Sequence, residues 1–230
     1  MVANYKSKLI FVHIGKCGGR TLANSLRQSA VVTTKFSRID RVHVRKPVYE
    51  PDSCYLFVLR NPVSRALSVF NWRKRLVENR ANQKNRFKGE ALVFQKYSNL
   101  NELAEKIYGN NLQSFAARRE LRCIHHMKEN INHYLLGLIN KLDAKNIFAV
   151  FVQETLGEDI EKFLGVRDYK SYHVNNNTKS ASNKLALSLK SVENLERFFH
   201  KDFIMIQKLN EICPIENHRL QLLLNFERSN

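Results

Sequence analysis

What the sequence lacks narrows its class before any motif is considered. No apolar run approaches the ~18–20 residues that a membrane-spanning helix needs, so no membrane span is expected. Residues 1–8 are short and polar and lead straight into an apolar strand pattern, which predicts no signal peptide. The four cysteines (Cys17, Cys54, Cys123, Cys213) show no CxxC spacing. That argues against a disulfide framework and against a zinc site, and the expectation is a reduced, cytoplasmic protein. Acid is scarce: 21 Asp and Glu stand against 38 Lys and Arg, for a net charge of +17. Such a field attracts anions, and charge alone does not choose between nucleic acid and an anionic nucleotide with an acidic glycan or membrane surface.

What is present fills one ordinary domain. The 230 residues are 43% apolar with 14 Phe, and neither a repeat nor a long linker divides them, so a single domain over 1–230 is expected. Lys8–Ile14 (KLIFVHI) reads as a buried strand ending at Gly15; Leu22, Ala23, Leu26 and Ala30 follow at helical spacing. Arg41–Val44, Cys54–Leu59 and Asn146–Val152 are further strand candidates. Asn61 suits a helix N-cap and Pro62 the first helical position, with Val63, Ala66, Leu67 and Phe70 as the buried stripe of a helix to about Val77. The spacing predicts a long amphipathic helix over Leu121–Leu142, a short one over Leu156–Leu164 and a last helical stretch from Val192 to near Pro214. From Asn71 to Lys88 seven basic residues and one acid read as a helix end and an exposed loop. Strands alternating with helices imply an α/β fold, a mostly parallel central sheet flanked by helices.

Glycine is sparse, eight in all, yet three lie between Gly15 and Gly19 in the turn from the first strand to the first helix. There α/β proteins bind phosphate, on backbone N–H groups and a helix N-terminus. The nucleoside-triphosphate loop needs GxxxxGK[ST]; here Lys16 precedes Gly18 and Gly19, and Cys17 stands where a hydroxyl would hold Mg²⁺. A kinase-like nucleotide transferase is thereby disfavoured and kept as an alternative, beside a basic nucleic-acid-binding protein.

His13-Ile14-Gly15-Lys16-Cys17-Gly18-Gly19-Arg20-Thr21-Leu22 resembles the 5′-phosphosulfate loop of sulfotransferases that use 3′-phosphoadenosine 5′-phosphosulfate (PAPS). It is most similar to the Golgi carbohydrate branch and its bacterial relatives, whose usual form is H-I-P-K-T-G-G-T-S-L. Phe57–Leu59 followed by Arg60-Asn61-Pro62-Val63-Ser64-Arg65-Ala66-Leu67-Ser68 is similar to the family's second signature, R-[ND]-P-x-x-R-x-x-S after a strand. The resemblance covers residues 8–75; Phe198–Phe203 is similar, more weakly, to a C-terminal helix of the family. Gly15 departs from the usual Pro, Cys17 from Thr and Arg20 from a small hydroxyl residue.

The resemblance implies a P-loop-like sulfotransferase fold and an enzyme moving a sulfuryl group from PAPS to a hydroxyl. The acceptor would be a saccharide or glycoconjugate, anionic ones included, with no nucleic-acid partner and no metal. Lys16 would bind the 5′-phosphate and steady the leaving oxygen; Cys17, Gly18, Gly19, Arg20 and Thr21 would complete the loop. Arg60 and Ser68 would hold the 3′-phosphate. The spacing from Asn61 to Ser68 sets these two on one helix face, with Arg65 close by and the apolar stripe opposite. His43 is the candidate base, since an ordinary histidine accepts a proton near neutrality, with Glu50 in reserve. His13 is expected to pack on its strand, and His125 and His126 to face different directions. Arg73–Lys88 would line a groove for an anionic saccharide or be solvated, and Asn175, Thr178 and Lys179 lie in a polar loop, Tyr172–Ser182, suited to cover the cofactor.

Overall fold

The structure is a computed structural model that describes residues 7–109, 112–169 and 187–226; the polar loop Tyr172–Ser182 lies outside them. Its centre is a four-stranded, all-parallel sheet in the order β2-β1-β3-β4. The strands are β1 (Lys8–Val12), β2 (Arg38–Val42), β3 (Ser53–Leu59) and β4 (Ile147–Val152). β3 is apolar almost throughout and lies buried along its length, as a strand covered on both faces must be. β2, reading RIDRV, is a polar edge strand.

Between β1 and β2 run α1 (Gly19–Gln28) and α2 (Ala30–Lys35). After β3 come α3 (Pro62–Asn79), α4 (Ala81–Lys84), α5 (Glu90–Lys96), α6 (Leu100–Ala104), α7 (Leu112–Cys123) and α8 (Ile131–Leu135). β4 is followed by α9 (Leu156–Leu164), then α10 (Leu189–Phe198), α11 (His200–Ile212) and α12 (Asn217–Leu224). One apolar cluster surrounds the sheet; a second joins α3, α5, α6, α7 and α10.

The start of α3 follows the expected chemistry. Asn61 Oδ1 accepts from the N–H groups of Val63 (2.9 Å) and Ser64 (3.1 Å), and Pro62 occupies the first turn. A cap of this kind contributes ~1 kcal/mol.

Four expectations need correction. The apolar spacing over Leu121–Leu142 belongs to two short helices. The chain turns at His126, whose φ of 72° is left-handed, and Asn130 caps α8 through His133 N–H. The spacing persists because each piece still buries one face. The last helical stretch is likewise two helices, α10 and α11, parted at Phe199. The basic stretch 71–88 is not simply exposed: Arg73 is buried, paired with buried Glu90 (2.5 Å) and bonded to Gln83. Arg65 lies in the buried stripe of α3 rather than beside Ser68, fully covered by the chain.

Candidate active site

The order of the strands decides where a ligand can sit. From β1 the chain goes to one side for β2 and returns to the other for β3. The switch point therefore falls at the carboxyl ends of β1 and β3, where open parallel sheets bind ligands. The glycine loop follows β1 at that edge, Arg60 follows β3, and His43 follows β2.

The loop is tightly built. Gly18 is the N-cap of α1 at φ 81°, without a side-chain cap, so the first N–H groups of the helix have no acceptor within it. A β-carbon at Gly19 would fall 1.9 Å from His13 Cδ2, and one at Gly15 2.8 Å from His126 Nδ1. The glycines thus let histidine rings pack against the loop.

Lys16 takes a left-handed φ of 73°, a conformation that costs ~1–3 kcal/mol for a residue with a side chain. Val44 (φ 70°) and His126 (φ 72°) are the other such non-glycine residues described. All three gather at this edge of the sheet. Val44 is pinned there: its N–H donates to Tyr134 Oη at 2.9 Å.

Positive charge converges on the loop. The Lys16 ammonium sits over the Trp72 ring, 5.0 Å from its centre. Burial, and after it the nearby Arg60 and Arg75, lowers its pKa from 10.5 to about 8; Arg20 adds to this. Arg60 Nη1 lies 3.4 Å from the Lys16 carbonyl oxygen. Its Nε is buried without a hydrogen-bond partner, since Glu154 Oε1 at 3.7 Å is beyond hydrogen-bond reach. Burial lowers the Arg60 pKa, with Glu154 opposing the shift. Lys16 thus has three arginines near it, Arg60, Arg75 and Arg20, and among the described residues only Arg60 has a carboxylate, Glu154, within ion-pair distance.

The α3 face toward the loop carries Ser68, Trp72 and Arg75 at intervals of four and three residues. Ser68 is half-buried on that helix. Arg75 belongs to the basic stretch expected to line an acceptor groove; the place of Trp72 and Arg75 beside Lys16 was legible from that same spacing and was missed. Glu154, just past β4, was also missed; a residue at the carboxyl end of a parallel strand was signal enough.

The remaining loop positions divide. Arg20 is exposed and close to both Lys16 and His13; Thr21 is buried in the first turn of α1. Cys17 turns its thiol into the core, where burial raises the pKa to about 12, and its N–H donates weakly to Ile14 O at 3.4 Å. Its side chain therefore faces away from the space in front of the loop.

The histidines form a ladder. His13 stacks on Phe11 (5.5 Å) and on His43 (4.3 Å); His43 tilts against His126 (5.5 Å), and His126 stacks on Trp72 (5.7 Å). Burial, reinforced by His43, lowers His13 to about 3, the packed role expected of it. His43 Nδ1 lies 2.8 Å from the His13 carbonyl oxygen. A carbonyl only accepts, so Nδ1 carries the proton and Nε2 is the basic nitrogen of the neutral ring.

Glu50, the reserve base, is at the wrong end of the sheet. It pairs with Lys8, the first residue of β1, and accepts from Ser53 Oγ at 3.4 Å. The length of β1, on the order of 13 Å, separates it from the glycine loop. His125 and His126 do not face apart: their rings lie 3.9 Å from each other, and with Glu129 they bring three ligand-type atoms within 4.8 Å. The two rings are taken up in aromatic contacts, however, His125 stacked on Phe87 and His126 on Trp72, and Glu129 Oε2 is already bound to the His126 N–H at 2.8 Å. Burial, then His125 and Arg65, lowers His126 to about 2.

Comparisons with protein-family models, curated proteins and solved structures return no match. Among the described residues no helix is long and apolar enough to cross a membrane.

Proposed function

We propose that this chain is a PAPS-dependent sulfotransferase acting on a hydroxyl of a carbohydrate or glycoconjugate. The observation that carries the reading is the meeting of its two signature segments. Lys16 and Arg60 come together at the switch point, under-neutralised, with Ser68 and Arg75 on the adjoining helix face. The orphaned Arg60 Nε and the depressed Lys16 ammonium are groups that an anionic nucleotide would satisfy. The finer fold assignment, a P-loop-like sulfotransferase sheet, rests on the same segments and the parallel order β2-β1-β3-β4.

In this reading Lys16 and the first N–H groups of α1 hold the 5′-phosphate, and Arg60 with Ser68 holds the 3′-phosphate. The donor supplies an activated sulfuryl group. Transfer joins the acceptor oxygen to sulfur and breaks the sulfur–oxygen bond to the 5′-phosphate. The hydroxyl proton passes to His43 Nε2, and Lys16 balances the charge on the departing oxygen. Trp72 holds the Lys16 ammonium in place, and the His13 carbonyl fixes the His43 tautomer. Cationic side chains and positioning serve here where phosphoryl transfer uses Mg²⁺.

Calorimetric titration with 3′,5′-adenosine bisphosphate, against ATP with Mg²⁺, tests this. Metal-independent binding of the bisphosphate, weakened ~10-fold or more in Lys16→Ala, is expected from the loss of one charged hydrogen bond. Folded protein that fails to bind the bisphosphate would sink the reading. Salt-sensitive duplex binding that survives Lys16→Ala would favour nucleic acid instead.

A further inference from the structure

A groove of ≈530 Å³ opens between α1, α2 and the edge strand β2, away from the glycine loop. Its apolar lining comes from Phe11, Leu26, Val32, Phe36 and Ile39, with Ala23 on the wall. Three arginines, Arg27, Arg38 and Arg41, also line it, and no acidic side chain does. Arg38 pairs with Asp40 at 3.4 Å; Arg27 and Arg41 have no carboxylate within ion-pair distance among the described residues. An apolar lining with arginines left uncompensated complements a molecule that is hydrophobic at one end and anionic at the other.

One wall of the groove leads, through packed side chains, to the candidate base. Side chains two apart on a strand share a face, so Phe11 and His13 project together, as do Arg41 and the His43 that follows β2. Phe11 stacks on His13 at 5.5 Å, and His13 on His43 at 4.3 Å. Arg41 is also near enough to His13 to help lower its pKa, after burial and His43.

We infer that this groove is the acceptor subsite and that it takes the apolar aglycone of an acidic glycoconjugate, the sugar hydroxyl extending toward His43. The acceptor role rests on the sulfotransferase reading; the groove's preference for an anionic amphiphile stands on its own lining.

The test is calorimetric titration of the full chain with octyl β-glucuronide below its micelle concentration. Controls are free glucuronate, which lacks the chain, and octyl β-glucoside, which lacks the charge. Saturable one-to-one binding of the glucuronide is expected, ~10-fold or more tighter than either control. It should weaken ~10-fold in Ala23→Leu, which fills the groove, and in the exposed-site variant Arg27→Gln, which removes a rim charge. Both variants should keep wild-type affinity for 3′,5′-adenosine bisphosphate, and the two ligands should bind together. Glucuronate binding as well as its octyl derivative, indifference to both variants, or displacement by the bisphosphate would each overturn the inference. Bisphosphate binding without glucuronide binding refutes the groove and spares the sulfotransferase reading. Glucuronide binding without bisphosphate binding does the reverse: the anionic-amphiphile site stands and the acceptor role falls.

Discussion

The Arg65 Nε donates to the carbonyl of Gly15 across 2.9 Å, tying the first turn of α3 to the first residue of the glycine loop. Its Nη2 donates to the carbonyls of His126 (2.6 Å) and Glu129 (2.7 Å), in the turn that interrupts α7 and α8. One buried guanidinium thus supplies three carbonyls that no helix satisfies.

Arg65→Leu should leave those carbonyls unpaired and cost ~3 kcal/mol or more in urea unfolding. Arg65→Lys should recover little of this, because a single ammonium cannot reproduce the planar fork that spans the loop and the turn. Wild-type stability in the lysine variant would refute the bridging role.

Binding of the bisphosphate should be linked to protonation of Lys16. In the free protein burial and the neighbouring arginines hold this ammonium at about 8. An anion in contact raises that value, so above pH 8 the complex carries more proton than the free protein. Affinity should then be flat between about pH 7 and 8, above the second ionisation of the phosphates at ~6, and fall as pH rises beyond that window. Calorimetry at pH 8.5 in buffers of different ionisation enthalpy should register proton uptake, absent in Lys16→Ala.

His43→Ala should lower sulfuryl transfer ~10²–10⁴-fold, the range for losing a general base. Its affinity for the bisphosphate should hardly change, because His43 follows β2, whereas the proposed phosphate ligands Lys16 and Arg60 follow β1 and β3. Glu50→Gln, at the far end of the sheet, should leave transfer near wild type. Equal losses in the two variants would refute the assignment of the base.

Gly19→Ala should destabilise the fold and disturb the site together. Its β-carbon would meet His13 Cδ2 at 1.9 Å, and His13 cannot swing aside because Phe11 and His43 flank it. A loss of ~1–3 kcal/mol is expected from overpacking, read by thermal or urea denaturation. An unchanged midpoint would mean that the ring is not held where the stack puts it.

The sequence by itself determined whatever depends on neighbours along the chain. The apolar runs that became β1, β3 and β4, the Asn61-Pro62 start of α3 and the glycine turn after β1 were all readable, because strand burial, capping and left-handed turns are local requirements. Lys16, Arg60 and His43 were nameable as candidates on the same terms. Only the tertiary structure decided which of these stand at one edge. Glu50 lies a few residues from His43 yet belongs to the opposite end of the sheet, since the chain runs back along the sheet before β3 begins. Arg65, a surface charge by composition, is buried because distant carbonyls of the His126 turn and Gly15 need its donors. That turn broke a helix whose apolar spacing was intact, for periodicity reports which face is buried and not where the backbone finds its hydrogen bonds. Long-range pairing of buried polar groups set the site, and no window of sequence contains both partners.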